Sequence, residues 1–246
     1  MERSDRSVLA RAFRVLGAFG PGRYEMTLAE LTEATGLPRA TVHRLASQLA
    51  TEGALAATRR GWRVGIRLFE LGQLVPTQQR LREVALPYLS DLYEATHGTV
   101  HLAVLDGGEV LYVEILSGHR KVASPSRRGG RMPAHCTAVG KALLAFSGVD
   151  VAAEGPPLER RTTKTITDRE VLVRTLHDVR RTAVAYDGEE ARLGLACAAS
   201  PVLDRKGLAV AAISVSLATG DDLTPRQVAP AVRTAALALS RELSRR

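Results

Sequence analysis

The spacing of apolar positions changes along the chain and predicts two kinds of architecture. Up to residue 96 the apolar residues recur mainly every three or four positions, which is the period of amphipathic helices. From residue 99 two strand-like runs follow each other. Helical and strand-like runs then both occur until a final helical stretch after residue 224. We therefore expect a mostly helical N-terminal part and a larger C-terminal part of mixed α and β structure.

The most informative local signals lie between Thr27 and Gly53. Thr27 and Glu30 have the T-x-x-E spacing of a capping box, which predicts the start of a helix, and Gly36 supplies the left-handed residue that ends it. Pro38 suits the first turn of a following helix because proline has no N–H to lose there. Two short helices joined by such a turn indicate a helix-turn-helix, whose second helix would enter the major groove of DNA.

A short basic hairpin follows the second helix. It is LAATRRGWRVG, from Leu55 to Gly65, with Arg59, Arg60 and Gly61 at the tip between two runs of strand-forming character. Amphipathic helix pairs also occur in all-α domains, but the helix cap, the exposed donors and this wing together favour a winged helix-turn-helix. The predicted DNA-contacting residues are Thr27, Pro38, Arg39, Thr41, His43, Arg44, Arg59 and Arg60.

Two apolar helical stretches come after the wing. They run from Ile66 to Val75 and from Leu81 to Thr96, and Pro76 separates them. Their surplus apolar surface indicates a linker helix, or helix pair, that joins two chains in a dimer. Docking onto the protein's own chain is the alternative interpretation.

The C-terminal part combines strands with helices. Two β-rich runs flank the turn Gly107-Gly108 and predict a hairpin. Thr137 is the predicted cap of a short helix, and Thr167 with Glu170 repeats the capping-box spacing before another. Three further strands and a terminal helix follow. The order β-β-α-α-β-β-β-α predicts an antiparallel sheet flanked by helices, so we assign the chain to the α+β class.

Composition narrows the functional classes. The chain has 246 residues, enough for two domains, and its net charge of +8 favours a polyanionic partner, although its arginine excess is also expected from a GC-rich genome. Cys136 and Cys197 lie far apart, which argues against a disulfide scaffold or a zinc ribbon. No apolar run has the length of a membrane span, and the charged start MERSDRSVLARAF does not suit a secretory signal. We expect a cytoplasmic protein that does not bind membranes.

Three stretches of the sequence resemble the IclR-type bacterial transcriptional regulators. The first is LAELTEATGLPRATVHRLASQLATEG with the wing, and the second is MPAHCTAVGKALLA (Met132–Ala145). The third is AVAYDGEEARLGLACAASPVLD (Ala183–Asp204) followed by GLAVAAISVS, in which Asp187, Glu190 and Cys197 have the spacing of the family signature. The resemblance covers essentially the whole chain.

This resemblance implies a GAF-like effector domain that binds a small molecule, often a carboxylate or an aromatic metabolite. It also implies a homodimer or a dimer of dimers on double-stranded operator DNA. We expect no catalytic residue, no cofactor and no metal. The effector-binding residues that the resemblance implies are Met132, Ala138, Val139, Asp187, Cys197, Ser214 and Ser216.

Elementary chemistry is compatible with a binding site at these positions. Ala138 and Val139 would lie in the first turn of a helix, where unpaired N–H groups and the helix dipole favour an anion. Ser214 and Ser216 alternate along a strand, so both hydroxyl groups point to one face of the sheet. Each residue type has an ordinary alternative: such serines are often solvent-exposed, buried cysteine is usually inert, and an aspartate before a glycine is often a turn residue.

Two other residue combinations have weaker support. His135 and Cys136 lack a second pair at metal-ligand spacing. A Cys197 nucleophile with His177 or His135 as its base would lack a third, orienting group.

The basic loop before Met132 offers a further possibility. Arg127, Arg128 and Arg131 would neutralise an acidic effector, although a solvated loop is the simpler interpretation.

We predict a winged helix-turn-helix over residues 1–66, a linker helix over 67–82 and a GAF-like effector domain over 83–246. The predicted function is a ligand-responsive transcriptional regulator, with repression preferred to activation, that controls genes of small-metabolite catabolism or biosynthesis. The alternatives are an enzyme or carrier of small molecules with a DNA-tethering head, and a constitutive DNA-bound protein with a degenerate pocket.

Overall fold

The computed structural model describes residues 7–117, 125–153 and 155–245. The chain forms two compact units, Met1–Gln79 and Arg80–Arg246. Each unit has its own apolar core. None of the helices in the described ranges is long and apolar enough to cross a membrane.

The first unit combines helices with a small antiparallel sheet. Its elements are α1 (Val8–Gly17), β1 (Glu25–Met26), α2 (Leu28–Thr35), α3 (Arg39–Thr51), β2 (Leu55–Ala57), β3 (Trp62–Val64) and α4 (Ile66–Gln73). The strand order is β1-β3-β2, and the predicted wing hairpin is the β2-β3 pair. The short β1, which the sequence pattern does not predict, pairs Met26 with Trp62.

The helix-turn-helix forms through the local signals that predict it. The Glu30 N–H donates to Thr27 Oγ1 at 3.2 Å and the Thr27 N–H donates to Glu30 Oε2 at 2.7 Å, which confirms the capping box. Gly36 follows α2 with a φ of 63°. The placement of Pro38 inside the next helix is wrong by one residue. Pro38 is the N-cap of α3, because its ψ of 137° is extended rather than helical, and the helix begins at Arg39.

The second unit is built around a six-stranded antiparallel sheet. Its elements are α5 (Pro76–Thr96, which begins in the first unit), β4 (Thr99–Asp106), β5 (Glu109–Leu116), β6 (Arg131–Pro133), a short 3-10 helix (Ala134–Cys136), α6 (Ala138–Ala145), α7 (Arg169–Thr182), β7 (Ala185–Gly188), β8 (Leu195–Leu203), β9 (Ala209–Ala218) and α8 (Pro225–Arg245). The strand order is β6-β5-β4-β9-β8-β7.

Helices cover both faces of this sheet. On one face, α5 and α8 pack against strand residues such as Leu102 and Ile213, with Leu89 fully buried between them. On the other face, α6 and α7 contribute Leu143 and Leu172 to a second apolar core. The predicted α+β class, with an antiparallel sheet flanked by helices, is confirmed.

The predicted capping box before α7 is wrong. Asp168 caps this helix, and its Oδ1 accepts hydrogen bonds from the N–H groups of Glu170 and Val171 at 2.7 and 3.2 Å. A carboxylate is stabilised by the positive end of the helix dipole in addition to its hydrogen bonds. The Thr167 hydroxyl instead accepts a hydrogen bond from Arg160 at 3.0 Å.

Strand β6 lies in the segment that the sequence pattern predicts to be a loop. It pairs Met132 with Val110 at the edge of the sheet. The strand is short, follows two glycines and ends in proline, so its composition matches that of a loop.

Candidate functional site

Helix α3 presents a polar face to solvent. Its Val42, Leu45 and Ala46 side chains are buried in the core of the first unit, whereas Arg39 and Arg44 are exposed on the opposite side. The other predicted contact residues divide by exposure: His43 and Pro38 are exposed, and Thr41 and Thr27 are half-buried. The His43 ring meets the ring of Trp62 edge-on at 5.9 Å between centroids, so the wing supports one end of this face.

A threonine that the sequence pattern does not single out organises the wing tip. Thr58 Oγ1 accepts hydrogen bonds from the N–H groups of Arg60 and Gly61 at 3.2 and 3.0 Å, and the Thr58 N–H donates to the Gly61 carbonyl at 2.8 Å. Arg59 and Arg60 are exposed. A Cβ atom at Gly61 would lie 2.1 Å from the carbonyl oxygen of Met26, so only glycine fits there. The tip is therefore a fixed turn with two outward arginines.

A small cavity of about 20 Å³ lies in the second unit between the sheet and α6. We call it the inner cavity. All seven residues predicted to bind the effector line it, together with six that were not predicted for this role. The lining residues are His101, Tyr112, Pro125, Met132, Thr137, Ala138, Val139, Asp187, Ala191, Leu195, Cys197, Ser214 and Ser216.

Strand pairing explains why distant residues meet in this cavity. Asp187 on β7 pairs with Cys197 on β8, and Cys197 pairs with Ser216 on β9. One step along the same face, Ser214 pairs with His101 on β4. Polar side chains from four neighbouring strands therefore form a band on the face that α6 covers. Both serines are 3% exposed, which excludes the solvent-facing alternative for them.

The first turn of α6 supplies the opposite wall. Thr137 Oγ1 accepts a hydrogen bond from the Gly140 N–H at 3.0 Å, which confirms the predicted cap. Ala138 and Val139 line the cavity, and no described residue accepts a hydrogen bond from either backbone N–H. A Cβ atom at Gly140 would lie 2.0 Å from the Ala134 carbonyl oxygen, so glycine permits this close approach. The wall is a buried helix terminus with donors available to an anion.

Asp187 both shapes the adjoining turn and faces the cavity. Its Oδ1 accepts hydrogen bonds from the N–H groups of Glu190 and Ala191 at 2.6 and 3.4 Å. Burial raises the pKa of its carboxyl group to about 7, and the Glu190 N–H and the Lys141 charge oppose that rise. Near neutral pH this group therefore exchanges between a carboxylate and a neutral acid. Oδ1 therefore stabilises a turn, as the alternative interpretation of this aspartate expects. The carboxyl group can still contact a ligand in the cavity.

A buried ion pair connects α6 to the same turn. The ammonium group of Lys141, which is 1% exposed, donates to Glu190 Oε1. The Glu190 backbone carbonyl accepts a hydrogen bond from Thr165 Oγ1 at 2.7 Å. Glu190 Oε2 is buried and has no hydrogen-bond partner among the described residues. The ion pair thus fixes the distance between two walls of the cavity.

His101 is the most informative residue that sequence reasoning missed. Its Nε2 lies 2.8 Å from Ser126 Oγ and its Nδ1 lies 3.3 Å from Ser214 Oγ. Burial lowers the pKa of the imidazole to about 4, so the ring is neutral at physiological pH, donating at one nitrogen and accepting at the other. In the sequence, His101 alternates with Thr99 and Ala103, which places its side chain on the same face of β4 as theirs. This alternation is the feature that could have identified it.

Tyr112 adds a second polar group at this end of the cavity. Its hydroxyl group donates to the sulfur of Met132 at 3.8 Å, and burial raises the pKa of the phenol. Sulfur is a weak hydrogen-bond acceptor, so this hydroxyl group can donate instead to a stronger acceptor on a ligand.

The cysteines do not have the character of nucleophiles. Cys197 Sγ lies 2.9 Å from Ser216 Oγ, and burial raises the pKa of its thiol, whereas a reactive cysteine requires a lowered pKa. Burial also raises the pKa of Cys136 to about 12. His135 Nε2 is hydrogen-bonded to the Glu159 carbonyl at 2.9 Å. Within the described ranges no group of three or more His, Cys, Asp or Glu residues could hold a metal ion.

Two arginines in and just before β6 pair with carboxylates of the protein itself. Arg128 contacts Glu114, and Arg131 contacts Asp106 and lies 3.6 Å from Glu109. Arg127 closes a turn with its backbone carbonyl. The remainder of this loop, residues 118–124, lies outside the described residues.

Comparison with known proteins assigns the family. The profile of the IclR helix-turn-helix domain matches residues 8–59, and that of the bacterial transcriptional regulator IclR C-terminal domain matches residues 73–241. The regulator XynR of Escherichia coli is 32% identical over an alignment of 240 positions that covers 95% of each protein. The regulator KdgR of Escherichia coli is 33% identical over 218 residues, covering 87% of this chain and 82% of KdgR. The chain belongs to the IclR family of bacterial transcriptional regulators.

The fold of a solved structure from the same family matches the fold of this chain over nearly its whole length. It is an IclR homologue from Microbacterium hydrocarbonoxydans in complex with 4-hydroxybenzoate. The TM-score is 0.86 at 30% identity, and the alignment covers 96% of this chain and 99% of that one. The resemblance inferred from the sequence is confirmed. As an IclR regulator, the protein is a ligand-responsive, DNA-binding transcription factor, and α2 and α3 lie within its matched DNA-binding domain.

Proposed function

We propose that the inner cavity binds a small carboxylate or aromatic metabolite, and that this binding changes operator affinity. The observation that supports the proposal most directly is the convergence of all seven predicted residues on one cavity. The homologue from Microbacterium hydrocarbonoxydans holds 4-hydroxybenzoate, which combines a carboxylate with an aromatic ring. The cavity has about 20 Å³ of internal space, enough for roughly one water molecule, so a ligand of that size requires the cavity walls to move apart.

The carboxylate of the effector would lie at the first turn of α6. The N–H groups of Ala138 and Val139 are the donors, and the helix dipole adds to their attraction for an anion. The hydroxyl groups of Ser214 and Ser216 face the same space and would orient the rest of the molecule. Asp187 completes the site, and its neutral form donates a hydrogen bond without repelling the anion.

On DNA, we propose that α3 reads base edges and the wing contacts phosphates. Arg39, Thr41, His43 and Arg44 are the predicted groove contacts, because arginine can bond guanine in a bidentate manner. The other predicted contacts, Thr27 and Pro38 at the starts of α2 and α3 and Arg59 and Arg60 in the wing, would fix the register on the backbone. In a dimer the two half-sites would lie about 34 Å apart, or a multiple of that distance.

We further propose that α4 contributes to a homodimer or a dimer of dimers. Ile66 and Phe69 of α4 and Leu74 directly after it are 63–71% exposed, and Leu9 and Phe13 of α1 are 72% and 71% exposed. Exposed large apolar side chains that cluster along a helix favour an interface.

The predicted domain boundaries, cytoplasmic location and mode of regulation belong to the same proposal. We propose a head over residues 1–66, a linker over 67–82 and an effector domain over 83–246, and the matched range 73–241 begins inside this linker. We propose repression as the output, because operator occupancy by itself can exclude polymerase from an overlapping promoter. A promoter fusion in cells with and without the regulator distinguishes repression from activation by the sign of the change.

A thermal-shift screen of monocarboxylates, with each hit retested on the upstream promoter fragment, tests the effector site. We expect at least one hit to raise the melting temperature of the wild type and to change operator affinity. Ser216→Ala should reduce the shift, whereas Ser147→Ala, outside the cavity, should not. Hits that are insensitive to Ser216→Ala would place the binding site elsewhere.

A further inference from the structure

An open recess adjoins the inner cavity in the second unit. We call it the outer recess. Two of its lining residues, Pro125 and Ala191, also line the inner cavity, so the two spaces share a boundary. The residues that line the outer recess are Pro125, Glu159, Arg160, Arg161, Thr162, Ala191, Arg192 and Leu193.

Positive charge dominates this recess. Arg160, Arg161 and Arg192 are exposed, and the one carboxylate among the lining residues is Glu159. Glu159 Oε1 accepts a hydrogen bond from Arg161 Nη1 at 2.9 Å, and the Thr167 hydroxyl accepts one from Arg160 at 3.0 Å. No described residue accepts a hydrogen bond from the Arg192 guanidinium. Three cations against one carboxylate leave the recess able to take an anion.

The wall of the recess is held to the wall of the inner cavity. Thr162 Oγ1 donates to the Glu189 carbonyl at 2.8 Å, and Thr165 Oγ1 donates to the Glu190 carbonyl at 2.7 Å. Glu190 is fixed in turn by Lys141 of α6. The Ala191 N–H donates to Asp187 Oδ1. The arginine-bearing segments therefore have defined positions relative to the first turn of α6.

The two spaces differ in what they can hold. The inner cavity has donors for one anionic group at α6, and Asp187 nearby would repel a second anion whenever it is ionised. A second acidic group on the same molecule would remain hydrated unless a cation met it outside the inner cavity. The outer recess provides such cations beside the shared boundary, and an arginine guanidinium can contact a carboxylate in a bidentate manner.

We propose that the outer recess is a second anion subsite and that the effector is a dicarboxylate. One carboxylate would bind at the first turn of α6 and the other would bind Arg192 and Arg161. The inference rests on the proposed function, because it presumes that the first carboxylate occupies the inner cavity.

Isothermal titration of matched probes tests this subsite on the full-length protein. The probe pairs are adipate with hexanoate and terephthalate with benzoate, each pair differing by one carboxylate. We expect the dicarboxylate of at least one pair to bind about tenfold more tightly than its partner, as for one added charge-assisted contact. The difference should shrink at high salt.

Variants assign the preference to the recess. Arg192→Gln should remove most of the dicarboxylate preference, Arg161→Gln should remove part of it, and both should leave monocarboxylate affinity unchanged. Arg174→Gln is the matched control, because Arg174 is an exposed arginine of α7 paired with Glu170 rather than with the recess. It should change neither affinity.

Three results would overturn the dicarboxylate subsite. They are equal affinity within both pairs, a preference retained in Arg192→Gln, and no binding of any probe. Monocarboxylate binding that is sensitive to Ser216→Ala, without a dicarboxylate preference, would leave the proposed function intact. The proposed function fails separately if no small molecule that binds the protein changes its operator affinity.

Discussion

Helices α3 and α6 present the same chemical feature, a first turn of backbone N–H groups, in opposite surroundings. α3 begins without a side-chain cap, and Arg39 and Arg44 on its polar face are exposed. α6 begins with the Thr137 cap, and all of its eight residues are buried. The exposed terminus suits DNA, a polyanion that remains hydrated. The buried terminus suits a small anion, which must give up its water for contacts made inside the domain.

The buried helix should be the more sensitive of the two to a single substitution. Lys141→Met leaves Glu190 as an unpaired buried carboxylate, and we expect it to lower the free energy of unfolding of the effector domain by about 3–5 kcal/mol. Urea unfolding followed by circular dichroism measures this loss. The single tryptophan, Trp62, lies in the first unit, so its fluorescence reports separately on the head.

The matched control for that variant is Arg181→Met. Arg181 and Asp178 form an ion pair on α7 in which both side chains are more than 70% exposed, so its loss should cost less than about 1 kcal/mol. A Lys141→Met protein as stable as this control would show that the buried pair does not hold α6 in place.

A single substitution on the exposed helix α3 should change operator binding and leave the free energy of unfolding unaltered. We expect Arg44→Ala to weaken operator binding by about 1–3 kcal/mol, with relaxed preference at one base position if Arg44 reads a base. Fluorescence anisotropy against operator variants with single base changes measures both effects. Arg174→Ala, in the second unit, is the control. Equal weakening on every duplex would instead identify Arg44 as a phosphate contact.

The smallest expected effect is a dependence on pH that is confined to the buried site. The folded-state pKa of Asp187, about 7, lies above the ordinary value of 3.8, so the folded protein retains a proton that the unfolded chain releases. Its contribution to stability is fully present below the ordinary value and is lost as the pH rises through about 7. Carboxylate affinity should fall a few-fold over the same rise, because ionised Asp187 repels the ligand.

Asp187→Asn should flatten both pH dependences. An asparagine oxygen can still accept the Glu190 and Ala191 N–H bonds, so the turn is preserved. Urea midpoints and carboxylate affinities measured on either side of neutrality test this prediction. An unchanged pH profile in the variant would mean that another group carries the proton.

The contrast between the head and the effector domain also explains which structural features the sequence predicts and which it does not. In the head, Thr27, Glu30, Gly36 and the wing arginines act within a few residues of one another, so their spacing predicts the helix-turn-helix and its exposed face. In the effector domain the local caps are partly predictable: Thr137 is correct, whereas Asp168 replaces the predicted capping box.

The inner cavity depends on contacts between residues far apart in the chain. Its seven predicted residues came from the family resemblance, and their convergence follows from strand pairings that no local spacing encodes. His101 meets Ser214 across the β4-β9 pair, 113 residues along the chain. Lys141 meets Glu190 across 49 residues. Neither contact could be identified before the three-dimensional structure was known.

The most direct test of the whole account is operator affinity measured with and without a saturating carboxylate found in the screen. If occupancy at α6 controls α3, operator affinity should change by at least about fivefold, and effector affinity should change by the same factor when operator is bound. Equal operator affinity in the two states, for a ligand that binds the inner cavity, would contradict the coupling.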